Sequence, residues 1–160
     1  LRMKDLRKIL SIFFLLTCTI ACEDIDCSLN NTVKLTTGFY ANGKQVAIND
    51  TLTVTTTGSD SILLNHYYNV SKMELPMSFW NTTDTLILMV KGMDYTTQDS
   101  VWISKTNTPH FESPDCPSHM FHNITGVSCT HNFIDSITII HPNVNYAEIE
   151  NLQIHLFADN

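Results

Sequence analysis

Cys116, His119, His122, Cys129 and His131 fall within sixteen residues of one another. Four such nitrogen and sulfur donors are what a tetrahedral metal site requires. The spacing matches no zinc knuckle, however, and in an extended segment His119 and His122 point to opposite faces. Surface histidines account for the pattern, and no metal or cofactor is expected. Nucleophilic catalysis is the second chemistry to weigh. Serine, histidine and aspartate are all present, yet no Gly-x-Ser-x-Gly elbow and no Cys-His signature frames them. The five glycines are scattered, so no loop is built to cradle phosphate. The chain is therefore not expected to be an enzyme, and a hydrolase or metal-binding protein is the last of the alternatives. Aromatic rings offer a gentler chemistry. Tyr67-Tyr68 and Phe79-Trp80 lie in loop-like stretches where they could stack on sugars, whereas Trp102 lies inside a strand-like run and is expected in the core.

The remaining reactive groups are thiols and hydroxyls, and the first thiol to matter follows an unusual leader. Arg2, Lys4, Arg7 and Lys8 form a positive region, and an apolar run from Ile9 to Leu16 continues through Thr17-Cys18. Thr19-Ile20-Ala21-Cys22 then sets a small residue directly before a cysteine. An apolar run of roughly 13 residues falls short of the ~20 that cross a bilayer, so this is the layout of a secretory signal. Ala21-Cys22 resembles the lipobox of bacterial lipoproteins, which implies a diacylglycerol on the Cys22 thiol and cleavage just before it. Acyl chains, worth about 0.8 kcal/mol per buried CH₂, hold a protein on a membrane without a spanning helix. The expected organisation is a lipoprotein signal peptide at 1–21, a lipidated acidic tether at 22–31 and a single domain over 32–160. Glu23-Asp24-Ile25-Asp26 is similar to the acidic tether that sends many Bacteroidota lipoproteins to the outer face of the outer membrane, although Ile25 interrupts it. A lipid-anchored outer-membrane location is expected, with the periplasmic face favoured over the cell surface.

Without residues 1–21 the chain keeps five basic against fifteen acidic residues, a formal charge of −10. That balance argues against nucleic acid, whose phosphates need clustered Lys and Arg, and against charge-driven binding to anionic headgroups. Cys22, Cys27, Cys116 and Cys129 remain, so with Cys22 lipidated at most one internal bridge forms. Loop-like surroundings favour Cys27 with Cys116, and Cys116 with Cys129 is the alternative. Closing the longer loop could stabilise the fold by roughly 3–5 kcal/mol. Five Asp-Ser/Thr-aliphatic tripeptides resemble the acceptor of Bacteroidota O-glycosylation, with hydroxyls at Thr51, Ser61, Thr85, Ser100 and Ser136. The same tripeptides are also natural turn exits into strands.

Positioning these groups falls to strands. Asn42-Gly43 sits between apolar flanks, the strongest short hairpin signal. Thr51 to Thr55, Ser61 to Leu64, Ser71 to Leu75, Asp99 to Ser104 and Leu152 to Phe157 each read as strands. Thr85 to Val90 is apolar enough to read as a central strand buried on both faces. Thr106 to Cys116 carries Pro109 and Pro114 and reads as a long irregular loop, followed by a strand pair at His119–Thr130 and Ile134–Ile140. Abundant threonine and scarce alanine disfavour helix. The pattern predicts an all-β, antiparallel β-sandwich of roughly 8–9 short strands, with a small β-barrel as runner-up.

Several of these stretches together resemble a family. They are Ala21-Cys22 with Cys27, Asp50 to Val54, Ser113-Pro114-Asp115-Cys116 and Ile134 to Ile139. The chain is similar over nearly its whole length to a Bacteroidota family of lipoproteins of roughly 150 residues, an ordinary size for one domain. That family is a domain of unknown function, so the resemblance implies no activity. Pro117 stands where the family usually has glycine after its cysteine. The resemblance implies the Cys27–Cys116 bridge and leaves Cys129 as an extra. The expected function is that of a non-catalytic binding or assembly module acting with an outer-membrane β-barrel protein. A surface glycan-binding module is the alternative.

Overall fold

The computed structural model describes residues 33–57 and 61–157, so the signal, the tether, Cys22 and Cys27 lie outside the described residues. Within them the alternating, threonine-rich sequence forms strands and no helix. In chain order these are β1 (Leu35–Ala41), β2 (Lys44–Gln45), β3 (Thr51–Thr56), β4 (Ile62–Tyr67), β5 (Lys72–Leu75) and β6 (Thr83–Lys91). They continue as β7 (Thr96–His110), β8 (His119–Cys129), β9 (Ile134–Ile139), β10 (Asn143–Val144) and β11 (Leu152–Leu156). Nine of them are four residues or longer, in keeping with the expected number.

Two sheets face each other across one core. One runs β2-β1-β11-β9, with β5 also paired to β1, and the other runs β10-β8-β7-β6-β3-β4. Phe39, Leu52, Leu75, Leu88, Ile103, Ile134 and Ile154 are fully buried between them. Every strand pairing is antiparallel except β1 with β11, where Thr37 lies opposite Leu152 and Tyr40 opposite His155. No hairpin joins these two strands, so nothing local dictates their relative direction. The expected turn at Asn42-Gly43 forms, with φ of 51° and 72°, and closes the β1–β2 hairpin.

Three stretches depart from expectation. The first is Thr106 to His110, which is not loop but the end of the fifteen-residue β7, paired with β8 as far as His110 opposite His119. Pro109 is tolerated because the neighbouring strand β6 stops opposite Ser104, leaving that edge of β7 without a partner to serve. Secondly, β8 and β9 do not pair with each other; they belong to different sheets, and the chain crosses between them at residues 130–133. Lastly, β6 is central, as expected, but buried on one face only. Leu86, Leu88 and Val90 point into the core while Thr85, Ile87 and Met89 are half-buried on an outer face that no third layer of the described residues covers.

The crossover is held by one side chain. Asp99 shares the inward face of β7 with Val101 and Ile103 and is fully buried. Its carboxylate accepts hydrogen bonds from the Thr130 hydroxyl at 2.5 Å and from the backbone N–H groups of Asn132, Phe133 and Ile134 at 2.9, 2.8 and 2.9 Å. The Asn132 amide adds another at 3.1 Å. Burial alone would raise the Asp99 pKa, but the hydrogen bonds from Thr130 and these backbone groups outweigh it and hold the carboxyl below its ordinary value. A carboxyl depressed in the folded state contributes stability that is complete above its unfolded pKa and is lost as pH falls through the folded one. Asp99→Asn turns an amide onto backbone donors and is expected to cost roughly 3 kcal/mol at neutral pH. Urea titrations at falling pH should show the gap between wild type and variant closing, because the wild-type carboxyl then protonates too.

Candidate binding groove

Beside the Asp99 knot the two sheets part, leaving a groove of about 660 Å³. That volume falls within the roughly 300–1,000 Å³ of small-molecule sites. Asn49, Asp50, Tyr95, Thr97, Asn132, Phe133 and Phe157 supply its polar and aromatic lining. Asp50 is its one carboxylate, and no Lys, Arg or His lines it among the described residues, so its field favours uncharged or cationic groups over anions.

Each wall is pinned. Asn132 and Phe133 are fixed through their N–H groups to Asp99, and the Asn132 amide also donates to Gln98 O at 2.7 Å. Phe157 N donates to Phe133 O at 3.2 Å, tying the end of β11 to the same wall. Opposite, the Tyr95 hydroxyl donates to Asp50. Gly92 N donates to Tyr95 O at 3.0 Å, folding residues 92–95 so tightly that a Cβ on Gly92 would overlap the Tyr95 ring. Glycine is what permits that approach.

A second polar centre sits at the other end of the same β7 stripe. Lys105 is buried, and its ammonium donates to Ser78 O, Asn81 O and Asn107 Oδ1 at 2.6, 2.8 and 2.8 Å. Asp84 lies 3.7 Å away and accepts from both the hydroxyl and the N–H of Ser78. Burial pushes the Lys105 pKa down while Asp84 pulls it back. His122, buried nearby, is lowered to about 4 by burial and by the Lys105 charge, so it is neutral at physiological pH. With every ammonium proton engaged, Lys105 is a clamp on the loop before β6 rather than a poised nucleophile.

The sequence-derived candidates fall as follows. Ser61 and Ser136 are exposed, Ser136 on the edge strand β9. Thr51, Thr85 and Ser100 are half-buried, the last two in the interior strands β6 and β7 directly after the buried Asp84 and Asp99. Cys116 is engaged and Cys129 is a free, half-buried thiol, so these two do not pair. Burial and the charges of Asp99 and Asp135 push the Cys129 pKa up, which disfavours the thiolate. Cys22 and Cys27 lie outside the described residues. Among the described residues no three His, Cys, Asp or Glu side chains converge on a metal position.

Trp102 is not core. It is 38% exposed, because it alternates with the inward Val101 and Ile103. Tyr67, Tyr68 and Trp80 are exposed at 58, 69 and 83%. They do not form one row: Tyr67 pairs with Leu52, which pairs with Val90, whereas Trp80 precedes Thr83 at the other end of β6. Seven residue steps separate Thr83 from Val90, about 23 Å. The groove residues Tyr95, Asn132, Phe133 and Phe157 carried no motif. The signal that leads to them is Asp99 itself, an acid at an inward position of β7 beside the apolar Val101 and Ile103.

The model of a family of unknown function (DUF6452) matches residues 51–156. The chain belongs to this family. No curated protein and no solved structure matches it. The DUF6452 segment runs from the start of β3 to the end of β11, and so includes Asp99, its backbone donors and most of the groove wall.

Gly92→Ala is expected to leave the fold cooperative yet displace the Tyr95 ring from Asp50. Ring resonances of Tyr95 in NMR spectra should shift while those of the core Phe39 stay in place.

Proposed function

We propose that this protein is a lipid-anchored, non-catalytic binding module of the bacterial outer membrane, facing the periplasm and acting with an outer-membrane β-barrel protein. The observation that carries the proposal is the groove beside Asp99, whose walls are fixed before any ligand arrives. Preorganised walls lower the ordering cost of binding. The anchor is the lipidated thiol of Cys22, supported by the positive and apolar leader before it. A Cys27–Cys116 bridge is part of the proposal, supported by the bonded state of Cys116 beside a free Cys129. A photoreactive residue replacing the fully exposed Met93, next to the groove, tests the partner in the native membrane. Adducts with a barrel protein are expected, and their absence after efficient photolysis would overturn the partner assignment.

The second reading is glycan binding, favoured by the rings of Tyr95, Phe133 and Phe157 around the Asp50 carboxylate and the Asn132 amide. Under it, soluble saccharides would protect the groove from photolabelling.

O-glycosylation is proposed at Ser61 and Ser136, the exposed members of the five tripeptides. Glycopeptide mapping should find sugar there and none at Thr85 or Ser100, whose strands are paired on both sides. Sugar on Ser100 in folded protein would contradict this assignment.

A further inference from the structure

We infer that the domain stands on its β7–β8 tip, with that end nearest the lipid surface and the groove turned toward the periplasm, where it meets a part of the barrel partner that projects from the membrane. The inference rests on the lipid anchor and the Cys27–Cys116 bridge proposed above, and adds an orientation to them.

The sandwich has two chemically distinct ends. At one, the chain comes in at Val33 and β1 begins at Leu35. Asn151 marks this level: it exchanges hydrogen bonds with Thr36, its N–H donating to Thr36 O at 2.8 Å and its Oδ1 accepting from Thr36 N at 3.0 Å. The same side chain donates to Asn143 O at 3.0 Å. Asn143 pairs with Asn123 on β8, which pairs with Thr106 on β7. The start of β1 therefore lies toward the His110–His119 end of the β7–β8 hairpin, the end that carries Cys116. At the other end are the β1–β2 turn, Asp50, Tyr95 and Phe157, which is the groove.

Chain lengths convert this polarity into an orientation. Five residue steps from Cys22 to Cys27 span at most about 18 Å, and a disulfide adds about 6 Å between Cα atoms. Cys116 is thereby confined within about 24 Å of the lipidated residue. Thr97 on the groove lies thirteen strand residues before His110, roughly 43 Å of contour along β7. Without the bridge the constraint would weaken, since the eleven steps from Cys22 to Val33 span up to about 40 Å. The bridge thus acts as a short strut as well as a staple. Charge does not draw this tip to the membrane, because Glu112 and Asp115 face any anionic headgroups there. The covalent path keeps the tip within reach of the surface, and the exposed ring of Phe111 is the apolar group available to hold it there.

The full-length, lipidated protein in vesicles tests this. A genetically encoded fluorescent residue is placed at Ser118 on the tip or at Asp94 beside the groove, both exposed. Energy transfer to acceptor-labelled headgroups is then compared. Transfer several-fold stronger from 118 than from 94 is expected, with the difference shrinking in Cys27→Ser/Cys116→Ser protein that still floats with the vesicles. Equal transfer from both sites, or stronger transfer from 94, overturns the orientation while leaving the anchor in place. A chain that fails to float removes the anchor, and the orientation with it.

Discussion

A fully buried carboxylate with no counter-ion among the described residues is the constraint on which this fold turns. Removing a charge from water costs several kcal/mol unless the protein replaces the lost hydrogen bonds. Asp99 recovers them from one hydroxyl and three consecutive backbone N–H groups, all belonging to the segment that leaves β8 for β9. Because those donors converge only when the crossover adopts one path, satisfying Asp99 and joining the two sheets are the same event. Lys105, three strand positions further along the same inward stripe, obeys the mirror-image rule with carbonyl acceptors. Between the two charges lie Val101 and Ile103, so a single strand defines both the apolar centre and its polar boundaries.

That arrangement explains why the groove sits where it does. The crossover is fixed to β7, and the sheets part beside it. The same bonds that fix the crossover present Asn132 and Phe133 to the opening, and Gly92 folds Tyr95 back toward Asp50 across from them. Rigid walls with one carboxylate and several rings suit recognition of an uncharged or cationic surface. At the opposite end Asn151 bridges β1 to β10, so a buried polar side chain stitches the two sheets at each extremity. The core between is left to apolar packing, and β4 ends the larger sheet as an edge with two register shifts that discourage further pairing.

The sequence by itself determined the class of fold and most of its strands, because a period of two is a local property that follows from strand geometry. It determined the β1–β2 turn as well, since Asn42 and Gly43 tolerate positive φ whatever surrounds them. Family membership followed from the linear order of residues 51–156. What only the tertiary structure decided depends on partners distant in the chain. Pro109 reads locally as a strand breaker and is harmless because β6 ends before it. Trp102 reads as core and is half-exposed because its neighbours in the alternation, Val101 and Ile103, take the inward positions. The parallel pairing of β1 with β11, the assignment of β8 and β9 to different sheets and the assembly of the groove from four separated segments leave no local trace. They depend on contacts between residues far apart in the chain, as Asp99 meets donors more than thirty residues away, a contact that exists only once the chain has closed on itself.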